Sequence, residues 1–198
     1  MIDDAPDELK PLLRRLGYDP RWLTLGILDE ALLRTQVAAL DAPDADPHAE
    51  HHRFAALKAF LARGAVDPVQ VRGLVDLALV DPDPAFGDAM LHDLIALPDL
   101  DDALFAEVTA AGAERGLERF GRRAGFVRRL ARGPLDDLLF AECMATGDRG
   151  VQEALLERAD LQPQHLERLA ADGASQRIRN LADAVRRRRQ RRDQGDGS

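Results

Sequence analysis

The segment "HAEHH", residues 48–52, has the residue types and spacing that come closest to a metal site. His48 and His52 are four residues apart, so on a helix they share a face, as two zinc ligands must. A structural zinc site needs two further ligands, but His92 and His165 are isolated and the sequence has one cysteine. We therefore interpret the segment as an exposed helix start, and we expect no metal and no cofactor.

Cys143 is the strongest candidate nucleophile by residue type. It lies beside Leu139 and Phe140 on an apolar helical face, where the surroundings raise a thiol pKa and make the thiol inert. The acidic segments "DPDPAFGD" and "LPDLDD" lack the Asp-x-Asp-x-Asp-Gly spacing of a calcium loop. The sequence also lacks a Gly-rich phosphate loop and a Gly-x-Ser-x-Gly elbow. These observations predict a protein that is not an enzyme.

Arginine is concentrated in two segments of an otherwise acidic chain. The net charge is −8, yet residues 115–132 contain seven Arg and one Glu, and residues 177–198 contain eight Arg and three Asp. Arginine holds carboxylates and phosphates through paired hydrogen bonds, so these segments favour a protein partner with an acidic surface. The residues that we expect to bind this partner are Arg115, Arg119, Arg122, Arg123, Arg179 and Arg186.

Three other interpretations of these arginines stay open. They can form a solvated polar face followed by a solubilising tail, with no partner at all. They can bind nucleic-acid phosphates, although an isoelectric point near 5.1 and an acidic body oppose a long polyanion. A tether to anionic membrane lipids ranks last, because the tail has no Trp, Phe or Leu among its arginines.

A repeated segment indicates how helices position these side chains. "LDDALFAEVTAAG", which begins at Leu100, recurs 35 residues later as "LDDLLFAECMATG", with nine of thirteen positions identical. Asp101 and Asp136 are predicted to be helix N-caps, with the leucine before and the phenylalanine after each forming a hydrophobic staple. Gly112 and Gly147 are predicted to end the two helices in the left-handed conformation. The paired aspartates are therefore helix-start chemistry.

Asp-Pro pairs give further helix start signals. Their aspartates are residues 19, 46, 67, 81 and 83. Proline fits the first helical position, because it has no N–H to leave unpaired and its φ is fixed near the helical value. Gln70 is also predicted to complete a capping box with Asp67.

Four units begin near residues 66, 100, 135 and 161, and each continues into a second amphipathic stretch. Helix pairs recurring at such intervals are typical of an α-solenoid. The predicted fold is all-α, with about four antiparallel helix pairs and an N-terminal helical cap. The predicted limits are 1–63 for the cap, 64–185 for the repeats and 186–198 for a basic, disordered tail, with one folded domain overall.

The stretch "ADLQPQHLERLAADGASQRIRNLADAV" resembles HEAT-like and variant leucine-rich helical repeats. Pro163 opens its first helix, and Ile178-Arg179 lies inside its second. The resemblance covers helix pairs from about residue 66 to residue 185. It implies a binding scaffold, usually for protein and sometimes for nucleic acid. We expect an adaptor, or an inhibitor similar to an immunity protein.

The expected location is the cytoplasm. The first ten residues, "MIDDAPDELK", are acidic and have no apolar segment, which predicts that they are not a secretory signal. A single cysteine excludes an internal disulfide and fits a reducing compartment.

Overall fold

The computed structural model describes residues 5–42, 48–64 and 66–195, and these residues form twelve α-helices and no strand. The predicted all-α class, with helices packed on their neighbours in pairs, is confirmed. Within the described ranges, every helix is too short or too polar to cross a membrane. The chain divides into two compact units, the first of residues 1–118 and the second of residues 119–198.

The core of the first unit is built around a buried tryptophan. Trp22 is 1% exposed, and its ring contacts Tyr18 edge-on and stacks on Phe86, at centroid distances of 5.0 and 6.2 Å. The helices of this unit are α1 (Lys10–Leu16), α2 (Arg21–Thr24), α3 (Glu30–Leu40), α4 (Ala49–Leu61), α5 (Pro68–Val80), α6 (Pro84–Ile95) and α7 (Asp102–Glu114). Since α1 packs on α3 and α4, and α4 packs on α6, the predicted cap shares a core with the predicted first repeat.

The second unit has its own apolar core and contains the remaining helices. In this unit α9 packs on α10, α10 on α12, and α11 on α12. Apolar residues of these helices, among them Leu139, Val151, Leu166 and Ile178, form one buried cluster. The helices are α8 (Glu118–Arg132), α9 (Asp137–Ala145), α10 (Arg149–Leu156), α11 (Pro163–Asp172) and α12 (Gln176–Gly195).

The predicted helix starts follow the predicted capping chemistry. Asp101 and Asp136 each accept a hydrogen bond from the amide three residues later, at 2.7 Å. Asp67 caps α5, and Gln70 completes the capping box. Asp83 caps α6 by accepting the amides of the first turn. Each aspartate satisfies an amide that has no partner within the helix.

One of the described Asp-Pro signals differs from the others. Asp81 does not start a helix: it follows the end of α5 in an extended conformation, and its carboxylate pairs with Arg53. The pair that begins with Asp46 lies outside the described residues. Asp19 precedes the short helix α2, as predicted. An Asp-Pro pair therefore marks a chain turn, and tertiary contacts decide whether a helix follows at once.

The two repeat glycines have different roles. Gly147 follows α9 with φ of +58°, as predicted. The prediction for Gly112 is wrong, because α7 continues through it to Glu114 and the left-handed residue is Gly116, with φ of +80°. Gly112 is buried, and a Cβ at this position would lie 2.9 Å from Cδ1 of Ile95. Glycine is therefore favoured at position 112 because it is small enough to pack against Ile95, and not because of its φ.

Helix α12 continues through the basic segment to Gly195, so most of the predicted disordered tail is helical. Beyond the partly buried Val185, the same face of the helix carries Arg189. The Arg189 guanidinium donates to the backbone carbonyls of Leu161 and Arg158, and these contacts hold the helix where apolar packing ends.

The predicted domain limits do not coincide with the boundary between the units and stay a prediction.

Candidate partner-binding surface

Several arginines have a structural role, because they donate to backbone carbonyls at helix ends. Arg158 donates to the carbonyl of Leu130, near the end of α8, and to that of Gly133 at 2.9 Å. In the first unit, Arg53 donates to the carbonyl of Leu16 at the end of α1, at 3.2 Å. The last carbonyls of a helix lack partners within the helix and carry partial negative charge, so a guanidinium there stabilises the fold.

Arg115, predicted to bind the partner, makes contacts of this structural kind. It lies in the first unit, where its Nε donates to Asp88 at 2.8 Å and its Nη2 to the carbonyl of Pro84 at 2.9 Å. About a fifth of the Arg115 side chain, 22%, is exposed. Its donors therefore connect the end of α7 to the start of α6.

Arg179 and Arg186, also predicted to bind the partner, are held by local contacts in the second unit. Arg179 donates to the carbonyl of Gly173 at 2.7 Å and to Gln176 at 3.0 Å. Arg186 pairs with Asp183 one turn before it on α12, at 2.8 Å. The first contact stabilises the end of α11, and the second is an ion pair within one helix.

The remaining predicted arginines lie on α8, where two of them pair with the same carboxylate. Arg123 donates to both oxygens of Asp148, each at 3.0 Å. Arg119 lies one turn earlier, with its Nε 3.7 Å from Asp148 and 85% of its side chain exposed. That separation exceeds hydrogen-bond distance, so the donors of Arg119 are free for another acceptor.

Asp148 is fixed in place by its second role as the N-cap of α10. It is 10% exposed at the side chain and accepts the amides of Gly150 and Val151. Burial raises the pKa of Asp148, but hydrogen bonds from Arg123 and these amides outweigh burial and lower it overall. A Cβ at position 150 would lie 3.1 Å from Cδ of Arg123, so glycine leaves room for the arginine.

A second carboxylate, Glu153 on α10, connects arginines of α10 and α12. Arg149 donates to it at 3.1 Å, and Nε of Arg177 lies 3.6 Å away with 67% of the side chain exposed. Buried Gln152 accepts the amide of Ala174 at 2.7 Å. This bond fixes the chain just before α12, and with it the position of Arg177.

These contacts join three neighbouring helices into one basic surface. Arg122 is exposed, lies one turn from Arg119 and makes no ion pair or hydrogen bond within the described part of the chain. Arg149 was not found from the sequence because it is isolated in an acidic stretch, and Arg177 was not selected from its arginine-rich segment. We call the surface the arginine row, and its members are Arg119, Arg122, Arg123, Arg149 and Arg177.

The arginine row lies in the basic unit of an acidic chain. Residues 1–118 contain 10 basic and 23 acidic side chains, a formal charge of −13, whereas residues 119–198 contain 17 and 12, a charge of +5. The two values add to the chain's −8. The charge division therefore coincides with the division into compact units, and the arginine row lies in the unit whose formal charge is positive.

Cys143 and His165 are buried in the second unit, where their side chains pack in the core. Cys143 is fully buried, and burial raises the pKa of its thiol to about 11. His165 is 4% exposed, stacks on Phe140 and has its Nε2 2.8 Å from Asp137. Among the described residues, no three His, Cys, Asp or Glu side chains are grouped as a metal site would require.

Comparison with models of protein families, with curated proteins and with solved structures finds no match to this chain. The interpretation of the arginine row therefore depends on its own geometry and charge.

Proposed function

We propose that this chain is a non-catalytic helical-repeat scaffold that binds a protein partner with an acidic surface through the arginine row. The observation that carries the proposal is the set of free donors on neighbouring helices. Arg119 and Arg177 lie beyond hydrogen-bond distance of their nearest carboxylates, and Arg122 is exposed. Arginine is frequent among the residues that anchor protein interfaces.

The other two members of the row support binding by keeping it rigid. Arg123 and Arg149 are hydrogen-bonded to Asp148 and Glu153, which are themselves fixed on α10. A surface that is ordered before binding loses less conformational entropy when a partner docks. The positive charge of the second unit also steers an acidic partner toward the row.

The repeat pattern supports a scaffold of the HEAT-like or variant leucine-rich kind. In such arrays each helix pair packs on its neighbours, and binding uses a surface shared by several pairs. The arginine row has this character, since it spans the second helices of three predicted pairs. An adaptor and an inhibitor both fit this proposal, because both need a shaped and charged surface.

Binding to nucleic acid is the second candidate, and the basic end of α12 favours it. Arg187 and Arg191 line a shallow groove there, together with Asn180 and Ala184. Asp183 lies in the same groove and pairs with Arg187, which reduces the charge available to phosphate. Binding to duplex DNA would weaken with salt at a log–log slope of about −0.9 for each phosphate contact.

An affinity pull-down from native cell extract, with and without nuclease, tests the proposal. We expect one stoichiometric protein that survives nuclease and is released by high salt, since salt screens ion pairs at an exposed interface. Recovery of nucleic-acid-binding proteins that disappear with nuclease would replace this proposal with the second candidate. Recovery of no partner under either condition would contradict both.

A further inference from the structure

We infer that the arginine row binds proteins through their side-chain carboxylates and rejects nucleic acids. The reason is that two carboxylates, Asp148 and Glu153, lie among its arginines. This inference rests on the proposed function and specifies the chemistry of the ligand. Asp148 is ion-paired with Arg119 and Arg123, and Glu153 with Arg149 and Arg177. The ion pairs that connect α8 to α10 therefore contain one negative charge, and those that connect α10 to α12 contain another.

A nucleic acid cannot avoid the negative charges of these two carboxylates. Its backbone carries a negative charge at every nucleotide, at a spacing that the protein does not control. Phosphates drawn to Arg119 and Arg177 bring neighbouring phosphates toward Asp148 and Glu153. Like charges placed together in an interface are strongly unfavourable, and such contacts exclude wrong partners.

An acidic protein segment can avoid them, because its carboxylates occur only where its sequence places them. A segment with carboxylates opposite Arg119, Arg122 and Arg177, and neutral residues opposite Asp148 and Glu153, meets attraction without repulsion. The row already contains the required geometry, since Arg123 holds Asp148 through two parallel hydrogen bonds. Arg119 and Arg177 are too far from Asp148 and Glu153 to hydrogen-bond to them, so with Arg122 they offer the same planar pair of donors to a carboxylate of the partner.

Glu153 is the residue through which this selection can be removed without disturbing the fold. Its side chain is 35% exposed and does not cap a helix, whereas Asp148 caps α10. Glu153→Gln keeps the shape of the side chain and removes its charge. Glu167→Gln is a matched control, because Glu167 is an exposed residue of α11 outside the row and the change in net charge is the same.

The test is a fluorescence-anisotropy titration of the full chain at low salt with two labelled probes. One is a peptide of alternating Glu and Gly, and the other is an oligothymidylate with the same number of negative charges. For the unmodified chain we expect tighter binding of the peptide, by about tenfold. Glu153→Gln removes a negative charge from the row, so it is expected to raise the affinity for both probes and to raise that for oligothymidylate about fivefold more.

The ratio of the two affinities decides the inference. Equal binding of both probes by the unmodified chain would overturn it, and so would a ratio that Glu153→Gln and Glu167→Gln change by the same factor. If this selectivity is not observed but capture of the cellular protein partner still depends on the arginine row, the inference fails while the proposed function stands. If partner capture does not depend on the row either, the proposed function fails as well.

Discussion

The two units use basic side chains in different ways. In the first unit, Lys58 pairs with Asp93 at 2.7 Å and Arg72 with Glu107 at 2.7 Å, and each pair spans 35 positions, the offset of the sequence repeat. Lys58 therefore connects the predicted cap to the first predicted helix pair, and Arg72 connects the first pair to the second. In the second unit basic residues are in excess, and some remain exposed after the helix ends are satisfied. We propose that this excess provides the binding surface.

The repeated segment has one copy in each unit, and its second copy contains a contact between two helices. In the second copy, Asp137 is 83% exposed at the side chain and lies 2.8 Å from Nε2 of His165. The amide of Gln162 donates to Nδ1 of the same ring at 3.3 Å, so Nε2 carries the hydrogen and donates to Asp137. The second aspartate of this copy thus connects the starts of α9 and α11.

The largest effect is expected at the buried ion pair of the first unit. Arg53 and Asp81 are each 6% exposed at the side chain, and the guanidinium also lies over the Phe86 ring at 4.9 Å. Burial raises the pKa of Asp81, which indicates a carboxylate that depends on its cation. Arg53→Ala is expected to lower the free energy of unfolding by about 3–5 kcal/mol, because it leaves Asp81 buried and unpaired.

Urea unfolding followed by the fluorescence of Trp22 measures this effect, since the single tryptophan lies in the first unit. Arg72→Ala is the control, because its ion pair is about half exposed and is expected to contribute less than about 1 kcal/mol. Equal losses in the two variants would contradict a distinction between buried and exposed pairs in this unit.

A smaller effect separates the two glycines of the repeat. Gly147→Ala is expected to cost about 1–2 kcal/mol, because alanine is strained at a φ of +58°. Gly112→Ala should cost less, since its contact is with the flexible tip of Ile95 and alanine favours the helix by about 1 kcal/mol. Thermal unfolding followed by circular dichroism measures both. The comparison fails if Gly112→Ala is the more damaging change.

The smallest effect is a dependence on pH at Asp148. Its pKa is lowered in the folded chain, so its contribution is present above the pKa of the unfolded chain and is lost as the pH falls through the folded value. Asp148→Asn retains the cap but loses the charge, and it is expected to destabilise by about 1 kcal/mol at pH near 6.

The difference between Asp148→Asn and the unmodified chain should shrink at acid pH, below the ordinary aspartate value of 3.8, as the pH falls through the lowered native pKa and the carboxylate is protonated. Urea unfolding followed by circular dichroism at the two pH values measures it. Glu167→Gln is the control, as an exposed carboxylate outside the ion pairs of the row. A gap that stays constant with pH would show that the charge of Asp148 does not contribute to stability.

The fold was predictable where the signals are local. Asp101, Asp136 and Asp67 cap helices through amides two or three residues away, so a short stretch of sequence contains the whole interaction. Gly112 was not predictable in this way, because the approach of Ile95 from another helix decides its role. Asp81 was misassigned for the same reason, since its partner lies 28 positions earlier.

The arginine row was only half predictable. Composition identified the basic helix α8, and with it Arg119, Arg122 and Arg123. Whether an arginine is exposed or used at a helix end depends on carbonyls and carboxylates that are distant in sequence. Arg158, for example, donates to a carbonyl 28 residues earlier. Periodicity does not contain that information.

The most direct test of the arginine row compares two triple variants in one quantitative pull-down. Arg119→Glu with Arg122→Glu and Arg177→Glu reverses the free members of the row, and the matched control reverses three exposed arginines elsewhere: Arg14, Arg34 and Arg168. We predict that the row variant loses partner capture by about a hundredfold while the control retains it. Equal capture by the two variants would contradict the assignment of the surface.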